Sequence, residues 1–190
     1  MRTISAISPS LDHTTLYETY ATPIGTLTLH GSDEHLRRLY FPGRAPISPE
    51  PTLHVTALNL VAHQLDEYFA GERQRFELRL APAGTAFQQR IWELLREIPY
   101  GQTTTYGEIA RELTVERNGE RVEPRAVAGA VSRTPIPIII PCHRVIGADG
   151  SLRGYAGGLD RKRKLLGFES SDGDPRALDE LCRDTQLTLM

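Results

Sequence analysis

The sequence predicts an α+β protein built of two units. An α/β, strand-rich unit spans residues 1–82, a mainly helical unit with a helix-turn-helix spans 83–170, and a tail follows over 171–190. Three observations carry this division. Period-two alternation of apolar residues is confined to segments before Pro82, as in half-buried strands. The run Ala81-Pro82-Ala83-Gly84 has linker composition. Beyond it, apolar residues recur at helical spacing behind capping-box patterns.

In the first unit, Leu27 and Leu29 alternate with Thr26 and Thr28 across Gly25 to His30, which predicts a strand. Leu36 to Phe41 is expected to pair with it through a turn at Gly31-Ser32-Asp33. Residues 47–51 are proline-punctuated loop. Leu58, Val61, Leu65, Tyr68 and Phe69 have helical spacing, with Gly71 as the stop. Phe76, Leu78 and Leu80 alternate with Glu77 and Arg79 and read as a further strand.

The second unit opens with Thr85 and Gln88, a capping box, followed by the stripe Phe87, Ile91, Leu94 and Ile98. Thr105 and Glu108 repeat the pattern and start a helix from Tyr106 to Leu113. After a connector, Pro124 at a first helical position opens a helix to Arg133. That helix is rich in small residues (Ala126, Ala128, Gly129, Ala130), which let a backbone approach a groove or a neighbouring helix closely. Two short helices joined by a connector suggest a helix-turn-helix. The isoleucine run 138–140 is expected to be a strand-like support. Asp160 is expected to cap a basic helix with Leu165 and Leu166 inward, and Asp174 and Pro175 to start one in the tail.

Composition narrows the function. The chain of 190 residues, 39% hydrophobic and 24% charged, is long enough for a real core and ordinary for a globular protein. No run approaches the ~20 apolar residues of a membrane span, and Met1 to Tyr20 has no signal-peptide core, so a cytoplasmic protein is expected. Two cysteines make no disulfide framework. With no Cys-x-x-Cys and no His-x-x-x-His, neither a metal nor a cofactor is expected. Net charge is −2, but residues 125–164 hold eight basic side chains against two acidic ones, which leaves the rest at −8. A basic face of this kind suits a polyanion such as nucleic acid. The loop Gly154-Tyr155-Ala156-Gly157-Gly158 lacks the spacing of a phosphate-binding P-loop.

The basic window contains Pro141-Cys142-His143-Arg144-Val145. A thiolate is the reactive form of cysteine, and neighbouring positive charge or an adjacent base favours it. Cys142 is therefore the candidate nucleophile.

Taken together, these residues resemble the O6-alkylguanine-DNA alkyltransferase family. The likeness runs through Phe87-Gln88-x-x-Ile91-Trp92-x-x-Leu95, Ile98-Pro99-x-Gly101, Thr105 to Ala110, Arg125-Ala126-Val127-x-Gly129-Ala130, Pro141 to Val145, Gly154-Tyr155-x-Gly157-Gly158 and Glu169. The strand region Thr22 to Gly25 resembles the family's smaller, ribonuclease-H-like domain more loosely. The resemblance implies a monomer that binds double-stranded DNA containing O6-alkylguanine through the minor groove, with O4-alkylthymine as a second lesion. Cys142 would take the alkyl group irreversibly. His143 would be the base, Glu169 its orienting carboxylate, and Tyr106 would press on the flipped nucleotide and donate to the leaving base. Arg125 would fill the gap in the stack, with Ala126 and Ala130 lying along the groove. Tyr155, Ala156 and Gly157 would close over the base, and the carbonyls of Cys142 and Val145 would accept from its amino group. Pro141 and Arg144 would hold the turn.

This chain departs from the pattern in three places. Thr134 stands where many relatives have the asparagine that joins recognition helix to active-site turn. The connector 114–123 is longer and highly charged, and the tail, with Cys182 as a semi-buried helix thiol, has no counterpart. The alternatives fit less well. One alternative is a sensor of alkylated DNA, non-catalytic or crippled: the first would lack the thiol, and the second rests on Thr134. A transcriptional helix-turn-helix calls for a polar recognition helix. A cysteine hydrolase calls for an oxyanion motif.

Overall fold

The structure, a computed structural model, describes residues 16–32, 34–45 and 56–178. Strands β1 (Leu16–Tyr20), β2 (Leu27–Gly31) and β3 (Leu36–Tyr40) form an antiparallel meander in that order. The central strand buries Leu27 and Leu29 completely. Strand β1 was not foreseen. The segment Thr22–Gly25, expected to be strand, is the turn that follows β1, closed by Gly25 N–H donating to the Thr22 carbonyl at 3.0 Å. Ser32 N–H and the His35 carbonyl (2.9 Å) close the β2–β3 turn.

Helix α1 (Thr56–Phe69) lays Leu58, Val61, Leu65 and Tyr68 into the core, as its spacing predicts. It ends at Gly71, whose φ is 79° and where a Cβ would lie 2.5 Å from the Gly173 carbonyl oxygen, so the chain after the last helix crosses here at backbone distance. The segment Phe76 to Leu80 is extended but is not a sheet strand. It meets β3 at an isolated bridge between Leu36 and Leu80. The reason lies in α1. Gln64 donates to the Glu77 carbonyl (3.1 Å) and accepts the Glu77 N–H (2.8 Å), satisfying the groups a neighbouring strand would need.

In the second unit both capping boxes form. Helix α2 (Ala86–Glu97) is capped by Thr85 and Gln88, and α3 (Tyr106–Glu116) by Thr105 and Glu108. Helix α3 runs three residues past its expected end at Leu113. Helix α4 (Pro124–Val131) has proline at its first position and stops short of Arg133. The connector returns through Asn118 and Gly119, both at positive φ, and is pinned by Val122 N–H donating to Thr114 Oγ1 at 2.9 Å. Helix α2 supports α4 through Trp92 Nε1, which donates to the Ala130 carbonyl at 3.2 Å. Two-residue parallel strands β4 (Thr104–Thr105) and β5 (Val145–Ile146) fix the start of α3 beside the Cys142 turn. They are too short to show any periodicity in the sequence.

Helix α5 (Leu159–Ser170) opens at Gly158. Asp160 lies inside its first turn and binds Arg163 rather than capping the helix. Leu165 and Phe168 are buried, whereas Leu166 is only half-buried. Phe168 joins Tyr68 (5.4 Å between ring centres) and Phe69 (6.3 Å), so one aromatic cluster welds α5 to α1. Pairs of this kind are each worth ~0.5–1.5 kcal/mol beyond area burial. In the tail, Asp174 accepts from Arg176 N–H as a cap does, and Leu178 is buried. Leu181 and Cys182 lie outside the described residues, as does the loop at 47–51.

Candidate active site

The expected strand 138–140 is a tight turn. Pro135, Pro137 and Pro141 remove an N–H at every second to fourth position, so no ladder can form despite the β-branched side chains. Ile140 N–H donates to the Ile136 carbonyl (2.9 Å), and Ile138 sits at φ 75°. For a β-branched residue that conformation is strained, by an amount on the order of 1–3 kcal/mol. Complete burial of Ile136 and near-complete burial of Ile138 and Ile140 hold it. Pro141, at φ −79° and ψ 59°, centres an inverse γ-turn in which Cys142 N–H donates to the Ile140 carbonyl at 2.7 Å. Cys142, His143 and Arg144 then form one turn of 3-10 helix leading into β5.

Two side chains of that turn converge on Glu169, and that of Cys142 does not. His143 (0% exposed) places Nε2 2.9 Å from Glu169 Oε1 on α5. Arg144 donates Nε to Glu169 Oε2 (2.8 Å), Nη2 to Oε1 (2.9 Å) and Nη1 to the Ile98 carbonyl (2.6 Å). Tyr68 Oη donates to Oε1 (2.7 Å), and Gly101 N–H lies 3.3 Å from Oε2. Burial opposes charge on Glu169, but the imidazole and the guanidinium beside it hold its carboxyl well below the usual range. Burial keeps His143 below its ordinary value, against the pull of Glu169. A neutral ring facing an ionised acceptor carries its proton on Nε2. Nδ1 is then left with its lone pair, and it has no hydrogen-bond partner among the described residues.

Cys142 is 4% exposed. Burial pushes its thiol up to about 11, against the pull of the Thr134 hydroxyl and the Lys162 ammonium. This overturns the expectation that the local motif ionises the sulfur. Its two basic neighbours are turned to Glu169, and desolvation wins. Thr134 Oγ1 gives its one proton to the Val131 carbonyl at 2.8 Å. It must leave that acceptor before it can donate to a thiolate.

Lys162 escaped the sequence reading, which treated Arg161 to Lys164 as a solvated run. It is completely buried and donates Nζ to the carbonyls of Val145 and Arg153, both at 2.7 Å. The available signal was its spacing: three residues before Leu165, it shares that residue's face of the helix. Tyr68, read as plain core, also belongs to the site.

A cleft of about 470 Å³ opens between α4 and the loop from β5 to α5, lined by Tyr106, Arg125, Ala128, Gly147, Arg153 and Gly154 among others. Arg125 is exposed at its rim, and Ala126, next to it in the helix, is exposed as well. Ala130 is not available to any groove. It is 3% exposed and faces α2, with its carbonyl taken by Trp92. Tyr106 is half-buried, and burial together with the Cys142 sulfur raises its hydroxyl. Tyr155 packs between Phe41 (5.5 Å) and His143 (6.4 Å). Ala156 is exposed, and Gly157 is buried where a Cβ would strike the Phe41 ring at 2.8 Å. Val145 is buried, and its carbonyl keeps one lone pair beyond the bond from Lys162. Arg161 ties the loop to the first unit, donating to the carbonyls of Ile24 (2.8 Å) and Gly157 (2.9 Å).

Residues 86–171 match the DNA-binding domain of 6-O-methylguanine DNA methyltransferase, and residues 15–82 match the ribonuclease-like domain of the same protein. A methylated-DNA–protein-cysteine methyltransferase of Methanosarcina acetivorans is 46% identical over 158 residues, covering 82% of this chain and 98% of the relative. One from Mycobacterium bovis is 46% identical over 161 residues, covering 82% and 92%. The crystal structure of Mycobacterium tuberculosis OGT in complex with DNA superposes with a TM-score of 0.73 at 44% identity, covering 86% of this chain and 98% of that one. Both halves of the chain are matched, and the chain belongs to the 6-O-methylguanine DNA methyltransferase family.

Proposed function

We propose that the chain repairs O6-alkylguanine in double-stranded DNA by moving the alkyl group onto Cys142, once per molecule. The observation that carries this reading is a buried thiol next in sequence to an imidazole whose Nε2 is held by an ionised carboxylate and whose Nδ1 keeps its lone pair.

The target atom lies inside a duplex, so the nucleotide must be extruded, at a cost of a few kcal/mol that a damaged pair lowers. Arg125, whose exposure at the start of α4 supports the role, fills the vacated stack from the minor groove, with the small side chain of Ala126 beside it. The loop Tyr155 to Gly157 closes over the base. Its amino group meets the Cys142 carbonyl and the remaining lone pair of Val145.

A thiol near 11 is about four units above neutral pH, so ionising it unaided takes about 5 kcal/mol. An ordered water carries the thiol proton to His143 Nδ1 as sulfur attacks, and Glu169 stabilises the imidazolium that results. The S–C bond forms as the C–O6 bond breaks, and the electron pair stays on the guanine. The Tyr106 hydroxyl donates to the departing base, and the proton taken from sulfur makes up the balance. The products are a thioether and guanine. A thioether is a poor leaving group, so the thiol is not regenerated.

The test is incubation with a duplex carrying one methyl-labelled O6-methylguanine. Label should move to the wild-type protein and not to Cys142→Ala, which should still bind the duplex. Label on that variant would refute the assignment.

A further inference from the structure

The cleft beside Tyr106 carries two guanidinium groups and no carboxylate along its lining. One is Arg125 of α4. The other is Arg153, on the loop between β5 and α5, to which no role has been assigned so far. We propose that Arg153 binds a backbone phosphate of the DNA strand bearing the extruded nucleotide, from the wall facing α4, and exchanges the Asp149 carboxylate for it. This rests on the DNA-repair reading above.

The loop is built to present this side chain. Lys162, buried inside the molecule, holds the Arg153 carbonyl at 2.7 Å. Gly147 N–H donates to the Ser151 carbonyl (2.9 Å) and Gly150 N–H to the Gly147 carbonyl (2.9 Å), closing the turn that precedes it. The backbone beneath Arg153 is therefore anchored, while its head stays at the surface.

That head is lightly held. Arg153 Nη2 donates to Asp149 Oδ2 at 3.0 Å and Nε to Ser151 Oγ at 2.7 Å, and Nη1 makes no hydrogen bond among the described residues. The ion pair is 62% and 60% exposed, the class worth ~0–1 kcal/mol. Asp149 keeps its bonds from Ser151 N–H (3.1 Å) and Oγ (2.5 Å) when the guanidinium leaves. A phosphate offers the guanidinium fork two oxygens in matching geometry. Tyr106 lies close enough to Arg153 to feel its charge, so the captured phosphate would sit beside the tyrosine that faces the flipped base.

Affinity for a duplex with one O6-methylguanine, measured by fluorescence anisotropy across salt concentrations in a Cys142→Ala background, tests this. Arg153→Gln should flatten the plot of log affinity against log salt by about 0.9, so that the change in affinity between 50 and 200 mM salt shrinks by a factor of about 3. Asp149→Asn should tighten binding. With Cys142 present, Arg153→Gln should react with free O6-methylguanine base at the parental rate, since that substrate has no phosphate. An unchanged salt slope in Arg153→Gln overturns the assignment. So does weaker binding in Asp149→Asn that matches Arg153→Gln, because the pair would then only brace the loop. Either result, in a parent that binds duplex and takes the methyl group, leaves the repair reading intact. A parent that binds no duplex overturns both.

Discussion

Glu169→Gln is the sharpest perturbation of this site. The carboxylate accepts from His143, twice from Arg144, from Tyr68 and from Gly101, with 1% of its side chain exposed. A glutamine keeps one oxygen and turns an NH2 toward groups that are themselves donors. The Arg144 guanidinium, 7% exposed, loses its counter-charge. Removing one partner of a buried pair costs about 3–5 kcal/mol, against a whole-domain stability of roughly 5–15 kcal/mol. At about 2–4 °C per kcal/mol for a chain of this size, the midpoint of thermal unfolding should fall by about 6–20 °C at pH 7. The sign of the pH dependence follows from the depressed carboxyl. Its contribution is complete above the unfolded value near 4.5 and is lost as pH falls through the folded one. The gap between wild type and Glu169→Gln should therefore narrow on acidification below about pH 4.5. Differential scanning calorimetry reads both quantities. A variant within 2 °C of wild type at pH 7, or a gap constant down to low pH, would refute the claim that Glu169 is the buried counter-ion of this site.

Three further outcomes are expected. Tyr68→Phe removes one donor from the same carboxylate and should lower the unfolding midpoint by less than Glu169→Gln, and an equal or larger drop would place the weight in the Tyr68 hydroxyl rather than in the ion pair. Reaction of Cys142 with iodoacetamide should speed up about tenfold per pH unit from 7 to 10 without levelling, because thiolate is the reacting species; a plateau below pH 8 would show a thiol far more acidic than its burial allows. Arg125→Ala should slow repair of duplex much more than reaction with the free base, and equal effects on both would remove the residue from the extrusion step.

What the sequence disclosed was mostly local. The capping boxes at Thr85 and Thr105 depend on residues three apart, and both are in place. The leucines of β2 and the stripe of α1 report their own burial by period. Contacts across the chain were hidden. Gln64 occupies the backbone of Glu77 and denies it a strand partner, which no alternation of apolar residues can reveal. The isoleucines at 138–140 have strong β propensity, yet the prolines around them decide the backbone. Cys142, His143 and Arg144 are legible as chemistry. Where they point is set by Glu169, more than twenty residues away. The same distance explains the inverted expectation for the thiol: adjacency in sequence suggested His143 or Arg144 as the cation at the sulfur, while the cation whose charge pulls the thiol down is Lys162, concealed in a basic run.

The central claim is that one buried sulfur accepts the alkyl group and keeps it. Mass spectrometry of the peptide containing residue 142, after exposure to an excess of duplex bearing O6-methylguanine, tests it most directly. The account predicts a single added methyl on Cys142 in one equivalent per protein, with no further repair on adding fresh duplex. An unmodified Cys142 after the lesion has gone, or continued repair beyond one equivalent, would contradict it.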